Sequence, residues 1–254
     1  MTTSLAVHAV FEWLALAVGA QIYRRSSGRG SLADVDSRKR LVIVLGAVLG
    51  AAIGNKLAFF AYDPQALSAF LHGEHLLGGQ SIVGGLLGGL LGVEICKRLV
   101  GIRQSTGDAF VVPVLVGIII GRCGCFLAGL ADVTYGDPTT LPWGYDFGDG
   151  VRRHPTQIYD QLFAGGLLVL FASTRERLRA VPGLEFKLML SAYLGWRLAI
   201  DSIKPKPFSY PLHLSGIQVL CLVALFIYTP SVVRAALRTR EMSVEPQDPP
   251  LSLL

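Results

Sequence analysis

The chain predicts an all-α, polytopic integral membrane protein, and three features carry that expectation. Of its 254 residues 52% are hydrophobic and only 16% are charged, and the mean hydropathy is +0.51, too apolar for a soluble domain of this length. The apolar residues gather into runs approaching the roughly 20 residues that a helix needs to cross a hydrocarbon core. Basic residues fall between those runs, dense in one loop and sparse in the next. A net charge of +5 and a pI near 9.1 would suit a nucleic-acid partner, but short basic clusters separated by apolar runs are the pattern of membrane topology. No nucleic acid is expected.

Seven segments qualify as spans: 5–23, 41–62, 81–96, 109–130, 157–173, 186–203 and 214–232, of which the third and fifth are short. The first has no basic lead-in and no small-residue cleavage site after it, so it reads as a retained span. Loops rich in Lys and Arg stay in the cytoplasm. Arg24, Arg25, Arg29, Arg38, Lys39 and Arg40 follow the first span; Lys97, Arg98 and Arg103 follow the third. Arg175, Arg177, Arg179 and Lys187 surround the fifth loop, and Arg234, Arg238 and Arg240 begin the tail. The opposite side has only Arg152, Arg153, Lys204 and Lys206. This asymmetry puts the N-terminus outside, the C-terminus in the cytoplasm and the long loop 131–151 on the outer face. The expected division is a seven-helix membrane domain, 1–235, and a polar cytoplasmic tail, 236–254.

The other three cations, Lys56, Arg122 and Arg197, stand inside apolar spans. A charge near the bilayer centre costs at least roughly 2.5–3.5 kcal/mol, which makes each a functional candidate. Lys56 lies near the outer end of its span and has a second reading, a side chain that snorkels to the headgroups. Arg197 has one too, a structural pair with Asp201 one helical turn on.

Glycines at spacing four, through Gly84, Gly88 and Gly92, read first as a close helix–helix contact. The polar stretch Gly78 to Ser81 at the mouth of that helix offers free backbone amides to an anionic headgroup. His8 and Glu12, four apart in the first span, read as a hydrogen-bonded pair, with proton handling as the second reading. His72 and His75 belong to an amphipathic outer segment, 64–77. Cys96, Cys123, Cys125 and Cys221 all lie in apolar runs, where thiols act as small apolar residues. Cys123 and Cys125 point to different sides of a helix and no histidine flanks them, so they are not expected to bind metal. His154 stands beside Arg152 and Arg153 and before Pro155, where a helix starts, placing a base at the outer membrane boundary.

Several blocks resemble the signatures of the prolipoprotein diacylglyceryl transferases. They are Gly121-Arg122-Cys123-Gly124-Cys125-Phe126-Leu127-Ala128-Gly129, Tyr135-Gly136-Asp137-Pro138-Thr139, Arg153-His154-Pro155-Thr156-Gln157-Ile158-Tyr159-Asp160 and Tyr193-Leu194-Gly195-Trp196-Arg197. Ser81-Ile82-Val83-Gly84-Gly85 is similar to the family's glycine block. The resemblance implies an enzyme of the bacterial cytoplasmic (inner) membrane. It would move the diacylglyceryl group of phosphatidylglycerol to the thiol of a lipobox cysteine in a prolipoprotein signal peptide, releasing glycerol phosphate. It also implies catalytic roles for Arg122, His154 and Arg197, and substrate binding by Arg153, Tyr193, Gly84, Gly85, Gly136 and Tyr135; Lys56, a cation inside a span, is counted with the substrate-binding residues on that ground. Guanidinium groups suit developing phosphate charge and a neutral imidazole suits a thiol proton. The displacement is expected to need no metal and no redox cofactor.

The chain departs from the family pattern in four places. Val83 stands where a histidine is usual, Cys125 where asparagine is frequent, Leu130 where an acid commonly follows, with Asp132 two residues on, and Val10 and Phe11 where an aromatic hydroxyl is expected. Two further readings therefore stay open: a divergent paralogue acting on another acceptor, and a non-enzymatic protein that binds or transports phospholipid.

Overall fold

The computed structural model describes residues 2–25, 32, 35–73 and 79–244. Arg29, His75, Gly78 and positions 245–254 of the expected tail lie outside them. The described residues are mostly helical: α1 (Thr2–Arg25), α2 (Ser37–Tyr62), α3 (Pro64–Leu71), α4 (Ile82–Leu99), α5 (Val111–Ala128), α6 (Thr156–Arg179), α7 (Leu184–Ile200) and α8 (Gly216–Val244). α1 packs on α5, α5 on α6, α6 on α7, α7 on α8, α8 on α2 and α2 on α4. One buried apolar cluster runs through this arrangement and includes Leu115, Met189, Leu190, Tyr193, Leu194 and Cys221.

Each of the seven expected segments falls on a helix, with short 3-10 turns, Asp108–Phe110 and Gly129–Asp132, bracketing α5. Four of the helical stretches are long and apolar enough to cross a membrane: Ala6–Arg25, Ser37–Tyr62, Asp108–Asp132 and Gly216–Leu237. The other three are diluted by polar residues. Glu94, Lys97 and Arg98 close α4; Thr156, Gln157, Asp160 and Gln161 open α6; Glu185, Lys187 and Arg197 punctuate α7. Most of the groups on α6 and α7 are buried rather than solvated. Conversely, Trp13, Leu16, Leu49 and Phe226 are exposed, and Phe226 keeps 84% of its surface. An apolar exterior around a polar interior identifies an integral membrane protein.

The glycine stripe forms an antiparallel helix pair. A Cβ on Gly84 would stand 2.2 Å from Gly54 O, one on Gly88 2.1 Å from Gly50 O, and one on Gly92 2.0 Å from Gly46 O. α2 and α4 therefore touch backbone to backbone, which only glycine at these positions allows. Gly85 differs, since a Cβ there would sit 3.9 Å from Ala51 O, an ordinary contact. α1 and α5 also run antiparallel: Tyr23 stacks on Phe110 at 4.5 Å near one end, and His8 Nδ1 lies 3.2 Å from Asp132 Oδ1 near the other.

Two elements differ from the sequence expectation. The long loop holds a small antiparallel hairpin, β1 (Tyr145–Asp146) and β2 (Arg152–Arg153), within an otherwise helical chain. Its turn is closed by Asp146, whose Oδ1 accepts from the N–H groups of Gly148, Asp149 and Gly150. α8 continues to Val244, past the expected end of its span and into the expected tail.

The packing separates two adjacent glycines. Gly84→Ala should lower the thermal unfolding midpoint by several degrees, on the order of 2 kcal/mol for forced helix separation, while Gly85→Ala should leave it unchanged. Thermal unfolding of the two purified variants in detergent checks this.

Candidate active site

α5, α6 and α7 each contribute a charge to one buried cluster. Asp160, on the second turn of α6, is 1% exposed. Its Oδ2 lies 2.8 Å from Arg122 Nε of α5 and 3.7 Å from Arg197 Nη1 of α7. Its Oδ1 accepts a hydrogen bond from Trp196 Nε1 at 2.7 Å. Arg197 also holds Asp201 through Nη2, and Asp201 Oδ2 accepts from Ser215 Oγ at 3.0 Å. The pairing of Arg197 with Asp201 is as the sequence suggested, but it is one edge of a larger network.

The network has unused donors. Arg122 Nε, Arg197 Nε and Nη1 and the Tyr193 hydroxyl are buried without a hydrogen bond, although the first and third lie near Asp160 as charges. A buried N–H left unmade costs about 1–3 kcal/mol, more when charged, so convergent donors of this kind are suited to an oxyanion. Two arginines and two aspartates nearly cancel, and Lys204, just beyond α7, adds a further cation to their field. Burial pushes the Lys204 ammonium down to about 7, and the charges of Arg197 and Arg122 push the same way. Lys204 is consequently charged below about pH 7 and neutral above it.

The expected site residues divide into three groups. Arg122, Arg197 and Tyr193 belong to the cluster. His154, Tyr135, Gly136 and Arg153 belong to the loop that covers the end of α7. Asp137 N–H donates to Ile203 O at 2.8 Å, and a Cβ on Gly136 would lie 2.6 Å from His154 Cβ and 2.8 Å from Ile203 O. Glycine thus lets the loop close onto both. The His154 ring sits 3.2 Å from the Tyr159 hydroxyl, which accepts from Trp143 Nε1 at 2.8 Å. Among the described residues His154 has no hydrogen bond or ion pair with Arg122, Arg197 or Asp160. Arg153 is occupied elsewhere: it makes a bidentate pair with Asp149 at 2.7 and 2.8 Å and lies over the Tyr135 ring at 5.1 Å. Hydrogen bonds from Arg153 hold the Asp149 carboxyl below its usual range.

The third group sits at the start of α4. Lys56 Nζ donates to Gly79 O at 3.3 Å and lies 6.0 Å from the centre of the Phe59 ring. Gly84 is taken up by the contact with α2, and Gly85 faces the same helix at a looser distance. Val83, 1% exposed, shares the buried apolar cluster with Tyr193.

Sequence reasoning missed Asp160, Asp201 and Lys204. The rule that singled out Arg122 and Arg197, an ionised group inside an apolar span, applies equally to Asp160, which lies inside the segment 157–173. In the sequence Asp201 stands only as a local partner of Arg197, and Lys204 only as a loop charge.

A profile of the family described as prolipoprotein diacylglyceryl transferase matches residues 1–233. The chain belongs to that family. Relatives named phosphatidylglycerol–prolipoprotein diacylglyceryl transferase include one from Nitratidesulfovibrio vulgaris (strain Miyazaki F), 36% identical over 193 residues, covering 71% of this chain and 68% of the relative. Another, from Geobacter sulfurreducens, is 29% identical over 248 residues, 85% of this chain and 92% of the relative. A third, from Cupriavidus pinatubonensis, is 33% identical over 208 residues, 76% and 71%. Family membership makes the chain a diacylglyceryl transferase, an enzyme rather than a passive lipid carrier.

Asp160→Asn removes the central counter-charge and leaves two buried guanidiniums facing a neutral amide. Breaking a buried pair from one side is expected to destabilise by about 3–5 kcal/mol, seen as a lower thermal midpoint and reduced yield of folded protein. Binding of an anionic phosphodiester lipid should weaken several-fold as pH rises from 6 to 8, because Lys204 loses its proton through about pH 7. Lys204→Arg should abolish that dependence, as measured by lipid-binding titrations at the two pH values.

Proposed function

We propose that this chain moves the diacylglyceryl group of phosphatidylglycerol to the thiol of a lipobox cysteine at the end of a prolipoprotein signal peptide. The observation that carries this reading is the buried cluster of Arg122, Asp160 and Arg197 with guanidinium N–H groups left unmade, in a chain of this family.

In the proposed reaction the thiol sulfur attacks the glycerol carbon that bears the phosphodiester oxygen. A C–S bond forms, the C–O bond breaks, and its electron pair stays on the phosphate, which leaves as glycerol phosphate. Charge develops on that oxygen, so the catalytic need is for donors already in place and shielded from water. Arg122 and Arg197 fill this role. Asp160, accepting from Trp196 and flanked by both arginines, fixes their planes and prevents their mutual repulsion from reorganising the site. The Tyr193 hydroxyl adds a neutral donor. His154 serves as acceptor of the thiol proton at the mouth of the site, its ring set by the Tyr159 hydroxyl. Tyr135, Gly136 and Arg153 form the wall of the loop that closes over the lipid, and Lys56 of α2 flanks the headgroup near the start of α4, where Gly84 and Gly85 let the two helices meet.

The topology that serves this chemistry is seven spans in the bacterial cytoplasmic membrane with the N-terminus outside. Support comes from the helix found at each of the seven expected segments and from the loop distribution of Lys and Arg. Such an orientation puts loop 131–151 at the leaflet where secreted precursors emerge.

The test is transfer of a labelled diacylglyceryl group from phosphatidylglycerol to a lipobox peptide by protein in lipid nanodiscs. Wild type should transfer, and Arg122→Gln and Arg197→Gln should each lose roughly 10²–10³-fold in rate, the scale of one lost oxyanion donor. Wild type that turns over no lipid, under conditions where an authentic transferase does, would refute the assignment.

A further inference from the structure

The loop between α5 and α6 carries more apolar surface than a water-facing loop needs. Leu141, Trp143, Tyr145 and Val151 are all exposed, Trp143 keeping 58% of its surface. Tyr145 belongs to an aromatic cluster that starts on α5 itself. The Phe126 ring stands 4.8 Å from Tyr145 and 5.7 Å from Phe147, and Phe147 stands 5.0 Å from Tyr145 and 5.8 Å from Tyr135. A Cβ on Gly129, which ends α5, would meet the Phe147 ring at 3.9 Å. The hairpin therefore rests on the end of a helix long and apolar enough to cross a membrane. Leu127, next to Phe126 and 60% exposed, carries open apolar surface onto that helix.

The charges of the hairpin are spent within it. Segment 141–153 holds two acids and two arginines, a net charge of zero. Asp146 Oδ1 accepts the three N–H groups of the turn, and Asp146 stands opposite Arg152 in the strand register. Arg152 Nε and Nη2 donate to the carbonyls of Gly144 and Pro142 at 3.1 and 2.6 Å. Arg153 and Asp149 make the bidentate pair already described. Opposite residues of an antiparallel pair share a face and successive residues alternate, so Tyr145 and Arg153 stand on one side, Asp146 and Arg152 on the other. The first side is aromatic, with Arg153 over the Tyr135 ring; the second is polar. A two-sided element with its charges paired or hydrogen-bonded can enter a membrane interface without a large desolvation cost.

We propose that the hairpin of β1 and β2, with Leu141 and Trp143 leading into it, seats in the headgroup region of the bilayer and takes phospholipid as its partner. Tryptophan and tyrosine suit that depth because each joins an apolar body to one polar tip. In Trp143 the tip is engaged within the protein: Nε1 donates to the Tyr159 hydroxyl at 2.8 Å, and that hydroxyl lies 3.2 Å from His154 Nδ1. The apolar body of the indole is what is left for lipid. The two hydrogen bonds tie the seat to His154 and hold that ring at the depth of the lipid phosphates. This consequence rests on the reading given under Proposed function; the seat itself rests on the exposed apolar side chains and their continuity with α5.

Fluorescence of full-length protein in nanodiscs reads the position of Trp143. The chain has three tryptophans, and Trp13→Phe removes one that is exposed on α1. Comparing Trp13→Phe with the Trp13→Phe, Trp143→Phe double variant isolates the emission of Trp143. That emission should lose intensity when the nanodisc lipid is phosphatidylcholine brominated near the top of its acyl chains, and acrylamide in the water should quench it less than it quenches free tryptophan. Leu141→Glu places an unpaired charge in the seat and should shift the emission to longer wavelength with stronger acrylamide quenching. If the double variant fails to fold, the brominated-lipid comparison on Trp13→Phe alone keeps the test, because the other indole, Trp196, is stacked on Phe163 and hydrogen-bonded to Asp160. Emission that brominated lipid leaves unchanged and acrylamide quenches as readily as free tryptophan overturns the seat. Emission unmoved by brominated lipid but shielded from acrylamide once a lipobox peptide is added overturns it in favour of a peptide-docking face. The quenching needs no turnover, so a protein that transfers no diacylglyceryl group sinks the transferase reading and the consequence for His154, and leaves the seat to be decided by fluorescence.

Discussion

A single carboxylate, Asp160, allows two guanidiniums to exist side by side in the interior of a membrane protein. Arg122 and Arg197 come from helices that are not consecutive in the chain, and each would be costly to bury alone. Asp160 is nearly inaccessible and touches both as a charge, while Trp196 holds its other oxygen. Asp201 and Ser215 extend the network to the start of α8. The order in which α5, α6, α7 and α8 pack is therefore tied to the same charges that make the site.

Compensation is incomplete by design of the geometry rather than by count. Arg122 Nε and Arg197 Nη1 face Asp160 as charges without a hydrogen bond, Arg197 Nε makes none, and the Tyr193 hydroxyl joins them. An interior of this kind is poorly suited to remaining dry and empty of anions, and well suited to a phosphodiester delivered from the surrounding lipid. Lys204 sharpens the point, since its ammonium is pushed down to about 7 by burial and by the same two arginines. An anion arriving between them would favour its charged form.

Much of this was legible in the sequence, for identifiable reasons. Helix positions follow from apolar runs, and each of the seven segments coincides with a helix. Arg122 and Arg197 stand out because an ionised residue in such a run needs a reason. That α4 makes a close helix contact follows from glycine spacing, though not that α2 is its partner. What was not legible depends on which helices become neighbours. Asp160 carries the same signal as the arginines, but its role exists only once α6 lies between α5 and α7. Arg153 looked like a companion to His154, whereas the hairpin turn brings Asp149 within bidentate reach and occupies it. Cys125 had no histidine near it in sequence; His8 arrives from α1 through the close approach that Gly124 permits. The hairpin itself is set by one carboxylate gathering three backbone N–H groups, a local event that hydropathy does not register.

The central claim is that the buried arginine pair is a preformed anion site whose donors are directed at lipid phosphate. Native mass spectrometry of the detergent-solubilised protein, offered equal amounts of phosphatidylglycerol and zwitterionic phosphatidylethanolamine, reads this directly. Wild type should retain phosphatidylglycerol preferentially by at least about tenfold, a difference of about 1.4 kcal/mol, and the Arg122→Gln, Arg197→Gln double variant should lose the preference. Equal retention of the two lipids by wild type, or a preference that survives in the double variant, would contradict the account.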